Sequence, residues 1–191
     1  MSRIVCWNAR SAHDKSWHFS IRHRVFVEEQ QIIPLTDIDE WDREQGTVHV
    51  VACRDSGVAG TVRLYRTDDD GGWKGDRLAV LPQHRATTVG ARLVHHAVST
   101  AASLGGRSMG ALVQVQNVRF FERIGWKRCG QELAYFGLPH QPMVFDLSTA
   151  AALDVRQVPP DAYLELPANR YDPSPLLAAT ELAAEGMGIR H

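Results

Sequence analysis

The residues best suited to chemistry lie in RLAVLPQHRATTVGARL, residues 77–93, where Arg85, Thr87, Thr88 and Gly90 stand between an apolar run and an amphipathic one. If the first run is a strand and the second a helix, the turn between them offers unpaired backbone N–H groups and the positive end of a helix dipole to an anion. A pyrophosphate suits such a turn. Val89, Gly90 and Ala91 would supply amides, Gly90 would permit close approach, and Arg85 would add charge-assisted bonds. The same segment also reads as an ordinary strand-to-helix connection.

Three other patterns suggest chemistry less well. Residues 106–110, GRSMG, spell the G-x-S-x-G of a serine hydrolase, but that motif needs a strand before the serine and a helix after it. Here a helical pattern precedes and a strand pattern follows. His95 and His96 are adjacent on a helix, so they point about 100° apart and cannot chelate a metal from one face; both read as solvent-edge residues. Asp37, Asp39 and Asp42 lack the glycine and terminal glutamate of a calcium-binding loop, and read as a solvated loop or as a charged rim attracting a cationic substrate. No metal site is expected.

The elements that must position the turn follow from periodicity. Residues 4–8 read as a strand and residues 17–29 as an amphipathic helix, with residues 32–46 a surface loop containing a helical turn. Residues 47–54 and 58–66 are rich in β-branched side chains and flank Asp55-Ser56-Gly57, which predicts a hairpin. Residues 73–81 form a third strand, ended by Pro82, and residues 88–104 a helix closed by Gly105-Gly106. A strand over 111–115, a short helix from an Asn117 cap to Ile124, and strands over 126–135 and 143–147 complete a mixed α/β (α+β) order. Beyond Ser148 five prolines and a helical stretch at 176–185 suggest a tail, so the domain is set at 1–147 and the tail at 148–191. That tail is expected to cover apolar surface of the domain or a second copy in a homodimer.

Composition narrows the partners. The 191 residues, 44% hydrophobic and 23% charged, are those of one ordinary globular domain. A formal net charge of -1 gives no cationic excess to neutralise a nucleic acid backbone. Three cysteines with no C-x-x-C pairing suggest neither a disulfide framework nor a zinc knuckle, and fit a reducing cytoplasm. Neither a signal-peptide core nor an apolar stretch able to span a membrane is visible.

The turn at 85–90 resembles the phosphate-binding signature of the GNAT superfamily, which reads Gln or Arg, two residues, Gly, any residue, then Gly or Ala. Arg85 and Gly90 match its ends, and Thr88 departs from it at the first glycine. Residues 114–130, QVQNVRFFERIGWKRCG, are similar to a second family segment through Asn117, Phe120-Phe121 and Gly125-Trp126. Residues 21–30, IRHRVFVEEQ, followed by Asp37-Ile38-Asp39 and His49, resemble the branch that holds the nitrogen-starvation N-acetyltransferases and the autoinducer-synthase-like proteins.

The resemblance implies a GNAT fold, with a mixed, mostly antiparallel sheet of about six to seven strands flanked by helices. It also implies an acyl-CoA-dependent N-acyltransferase using acetyl-CoA or a related acyl-CoA, with a small-molecule amine as acceptor. The strand before the phosphate turn should splay from its neighbour and hold the pantetheine arm through Leu78, Ala79 and Val80, with Asn117 on the same arm. The Val80 N–H becomes the partner of the thioester oxygen as that oxygen gains charge. An alkylamine must lose a proton before it attacks, and the resemblance puts Glu29, Asp76, His49 and His140 near enough to be bases. Phe121 stands where many members carry the tyrosine that protonates the departing thiolate. Its lack of a hydroxyl leaves a second reading open, a non-catalytic, CoA-responsive regulatory or scaffold module.

Overall fold

In the computed structural model, which describes residues 3–55 and 57–150, the elements run β1 (Ile4–Asn8), α1 (Ala12–Arg22), β2 (Val48–Arg54), β3 (Gly57–Arg66), β4 (Gly72–Val80), α2 (Val89–Ser103), β5 (Ser108–Gln114), α3 (Val118–Arg123), β6 (Lys127–Arg128), β7 (Leu133–Tyr135) and β8 (Leu138–Asp146). One sheet carries the strands in the order β1-β2-β3-β4-β5-β8-β6, with β7 also on β8, and every pair is antiparallel except β4 with β5. This is the mixed α/β class that the sequence implies. The helical stretch expected at 176–185 lies outside the described residues.

Successive side chains of a strand point to opposite faces, so a continuous apolar run must be covered twice. In β2, Val50 and Ala52 join Leu93, Ala97 and Ala101 of α2 in the main core. Val51 and Cys53 join Trp17 of α1 on the other face. The first helix starts earlier than its apolar spacing suggests, because Ser11 and Asp14 form a capping box: Asp14 N donates to Ser11 Oγ (3.0 Å) and Ser11 N to Asp14 Oδ2 (3.2 Å). After Arg22 it widens into a π-helical segment, His23–Glu29.

The expected strand over 126–135 is two short strands instead. Gly130 at φ 71° interrupts the run, and Cys129 N turns to the Pro142 carbonyl. Phe136 (φ 48°) and Gly137 (φ 72°) then make the two-residue turn that joins β7 to β8. The sheet thereby has eight strands, one more than the sequence pattern supplies. Asn117 sits at the N-cap of α3 without capping it, since its side chain makes no cap bond.

The parallel pairing of β4 with β5 lasts only from Gly72↔Ser108 to Lys74↔Gly110. Beyond it β4 follows β3 to Gly60↔Val80, while β5 follows β8 to Gln114↔His140. A bulge causes the parting. Arg63 pairs with Asp76 and Thr61 with Ala79, so Arg77 and Leu78 together face one β3 residue, and Arg77 takes φ 52°. Such an insertion bends its strand and raises the local twist.

The acidic loop is not the solvated loop that its composition suggests. Arg22 and Arg63, both fully buried, draw it inward. All five N–H donors of Arg22 are used: Nε on Asp37 Oδ2 (2.6 Å), Nη1 on Asp42 Oδ1 (2.6 Å) and His18 Nε2 (3.0 Å), Nη2 on the Asp37 carbonyl (2.6 Å) and Asp42 Oδ2 (2.9 Å). Arg63 grips Asp76 through Nε (2.8 Å) and Nη2 (2.7 Å), and reaches Asp39 and Asp42 with its remaining donors. Burial alone would raise the Asp42 carboxyl, but the bond and charge of Arg22, with Arg63 beside it, hold it at about 2.

Burial also pushes His49 and His96 down to about 4, and His18 well below its ordinary value. His96 is buried and meets Asn8 Oδ1 at 2.9 Å, contrary to the solvent-edge reading, whereas His95 is exposed. Each of these histidines binds a proton more readily unfolded than folded. Their stabilisation is therefore complete above about pH 6.5 and is lost as pH falls toward about 4, after which Asp42 continues the loss toward about 2. A thermal midpoint followed against pH should be level from about 7 to 8 and fall steadily between about 6.5 and 4. A midpoint unchanged down to pH 5 would contradict this assignment.

Candidate active site

Where β4 and β5 part, a cavity passes between them, lined among others by Gly75, Asp76, Arg77 and Leu78 of β4 and by residues 111–114 of β5. Strand alternation divides its walls. Lys74 and Asp76 of β4, and Gln114 with its partner His140, face the side covered by α1, where Phe26 and Gln30 complete the wall. Gly75 and Met109 face the side covered by α2 and α3. Leu81 N donates to the Ala59 carbonyl on β3, so the preceding N–H, that of Val80, points to the opposite edge and into the gap. Among the three residues read as pantetheine partners, the Leu78 side chain lines the cavity, the Ala79 side chain is buried toward α1, and Val80 packs against the main core.

The strand-to-helix turn expected at residues 81–89 is present. A short 3-10 turn, Pro82–His84, leads through Thr88 into α2. The Thr88 side chain makes no cap bond, while Thr87 Oγ1 accepts from Val89 N (3.3 Å) and donates to the His84 carbonyl (2.6 Å). A Cβ added at Gly90 would stand 3.7 Å from Phe120 and Val80 side-chain atoms, an ordinary contact, so nothing in the protein itself requires glycine there. Arg85 makes a fork with Glu29, at 2.6 and 2.7 Å, and its Nε bonds the Val80 carbonyl at 3.0 Å. That arginine hydrogen bond and charge hold the exposed Glu29 carboxyl below its ordinary range, as the main cause of its shift.

The four candidate bases separate cleanly. Asp76 and His140 line the cavity. Asp76 is engaged at both oxygens by Arg63. His140 Nδ1 lies 2.9 Å from the Leu138 carbonyl, which can only accept, so Nδ1 carries the hydrogen and Nε2 keeps a lone pair. Glu29 lies at the surface on Arg85, away from the cavity lining. His49 is buried in a relay. Thr61 Oγ1 gives its hydrogen to the Val50 carbonyl and accepts from His18 Nδ1; His18 Nε2 then accepts from Arg22 and from His49 Nδ1, the latter at 3.1 Å. His18, His49 and Asp42 place ligand-type atoms within 4.8 Å of one another, but the His18 Nε2 lone pair is already committed to these donors.

Residues 28–147 match the Acetyltransferase (GNAT) domain family. The chain belongs to the GNAT acetyltransferases. The uncharacterized N-acetyltransferase YjcF of Bacillus subtilis (strain 168) is 31% identical over 148 residues, spanning 76% of this chain and 100% of that protein. Among solved structures, Escherichia coli ElaA is similar with a TM-score of 0.66 at 21% identity, over 76% of this chain and 100% of the other. The CoA-dependent acyl-homoserine lactone synthase BjaI, solved with SAM and isopentyl-CoA, has a TM-score of 0.62 at 18% identity, over 77% and 84%. These two likenesses establish the fold.

As a GNAT acyltransferase the protein takes its acyl group from acyl-CoA. Phe121, which the resemblance sets at a tyrosine position, packs edge-on against Phe120 and Trp126 and also lines the cavity, so it combines core packing with a place in the cleft. Asn117, exposed and free of a capping role, lines the same cavity. Several lining residues carried no motif in the sequence: Lys74, Arg77, Tyr135 and Phe136, the last with its ring 5.8 Å from the Arg77 guanidinium. A usable signal for Arg63 was present. Thr61, Arg63 and Tyr65 alternate along one face of a strand otherwise apolar, a face that α1 then covers with His18 and Arg22.

Proposed function

We propose that the protein transfers an acyl group from acyl-CoA directly to a small-molecule amine, with both substrates bound at once. The observation that carries this reading is the parting of β4 from β5, which opens one cavity to both faces of the sheet. The pyrophosphate would lie on the Val89, Gly90 and Ala91 amides with Arg85 beside it, and the pantetheine arm along the open edge at residues 78–80 with Asn117 opposite. Val80 N–H would donate to the thioester oxygen.

The amine nitrogen attacks the thioester carbonyl carbon, a C–N bond forms, the C–S bond breaks, and CoA leaves as its thiolate. The proton shed by nitrogen passes to His140 Nε2, and from there to solvent or to the thiolate. Three guanidinium groups, of Arg22, Arg63 and Arg77, stand against four carboxylates, of Asp37, Asp39, Asp42 and Asp76. Lys74 on the same wall supplies a fourth positive charge, so these groups balance and give no net field toward an ammonium.

The nitrogen-starvation and autoinducer-synthase-like branch is supported by its motif. Arg22 anchors the buried network, Phe26 and Gln30 line the cavity, and Glu29 holds Arg85. A cofactor domain ending at 147 is supported by the family match, which stops there.

Calorimetric titration of CoA tests the assignment with two variants of opposite sign. Arg85→Ala removes a charge-assisted contact worth roughly 1.5–3 kcal/mol and should weaken binding about tenfold or more. Glu29→Gln removes the anion that competes for Arg85 and should tighten binding. Unchanged affinity in both variants would remove the pyrophosphate from this turn.

A further inference from the structure

We propose that the acyl group carried is longer than acetyl, a short aliphatic chain of about four to six carbons lying on the α2 side of the cavity. The inference rests on the acyl-CoA reading above and adds the substrate class. The two walls of the cavity differ in chemistry. On the α1 side stand Lys74, Asp76, Gln114 and His140. On the α2 side stand Val62, Val94, Ala97, Met109, Val113 and Trp126, each at most 5% exposed and all members of the main core cluster.

A thioester held at the open edge of β4 therefore has a polar compartment on one side for the nucleophile and an apolar one on the other for the acyl tail. Protein interiors are close-packed, and space lined by core side chains is rare and destabilising unless something fills it. One methyl group would leave most of this wall untouched.

The glycine at the mouth points the same way. Gly75 follows the last β4–β5 pair, lies in an ordinary strand conformation and has no backbone need for glycine. A Cβ there would stand 3.3 Å from Met109 Sδ, inside the opening between the two strands. The absence of a side chain leaves room for Met109, and any larger residue at 75 would force itself or Met109 into the path of an acyl chain crossing from the thioester to the core.

The test is a titration of the intact chain, without acceptor, by CoA, acetyl-CoA, butyryl-CoA and hexanoyl-CoA. Each buried methylene strengthens binding about fourfold, so butyryl-CoA should bind roughly fifteenfold more tightly than acetyl-CoA. Gly75→Val at the mouth and Ala97→Leu at the back wall should each collapse that ratio toward one. The proposal is overturned if CoA binds and acetyl-CoA matches both longer thioesters, or if both variants fold and keep the parent ratio. Failure of CoA itself to bind would overturn the acyltransferase site and this compartment together; a flat response to chain length with CoA bound overturns the compartment alone.

Discussion

Replacing Arg22 with alanine is expected to lower the thermal midpoint by roughly 6–20 °C at neutral pH. The side chain is fully buried and all five of its donors are taken, four of them by Asp37 and Asp42. Removing one partner of a buried ion pair leaves charge in a medium that solvates it poorly, at a cost of about 3–5 kcal/mol. For a chain of this length each kcal/mol corresponds to about 2–4 °C. Arg63 cannot take over, because its own donors already hold Asp39, Asp42 and Asp76. Thermal unfolding followed by circular dichroism measures the shift, and a change under about 2 °C would mean that water reaches the network and that it contributes little.

The second large effect concerns the chemistry. His140→Gln should lower kcat by about a hundredfold to a thousandfold, the usual contribution of a positioned general base, while CoA affinity stays within a few-fold of the parent. The geometry singles out this residue: it lines the cavity, and its Nδ1–H is spent on the Leu138 carbonyl, leaving Nε2 as its acceptor. Part of the lost rate should return at high pH, since free amine then exists without a base to generate it. Thiol release measured with an amine panel from pH 7 to 10 gives both numbers. A variant within threefold of the parent across that range would move the base to Asp76 or to a water chain.

The parts legible in the sequence are those set by local chemistry. The β2–β3 hairpin follows from β-branched runs on either side of Asp55-Ser56-Gly57, and α2 from a clean apolar stripe ended by glycines. The turn that starts α2 was legible because Pro82 ends the strand before it and an apolar stripe begins at Val89. The acidic loop was misread for the opposite reason: Asp37 and Asp42 find Arg22 at 15 and 20 residues' separation, and Asp39 finds Arg63 at 24. Charge read along the chain suggests solvent, and only the fold supplies the counter-charge. Of the four proposed bases, the two cavity-lining ones, Asp76 and His140, owe their place to the parting of β4 from β5, a property of register that residue type cannot reveal.

The three-pair contact between β4 and β5 makes the sheet two plates riveted at one corner, with strands β1 to β4 in one plate and β5 to β8 in the other. Past the rivet, each plate presents a bare edge of amides and carbonyls to the other. A pantetheine arm, itself a chain of two amides, can act as the missing rungs between those edges. Under the proposed placement, loading the cosubstrate would complete the sheet as a ninth strand would, and the stiffness of the assembled enzyme would belong in part to the molecule that it consumes.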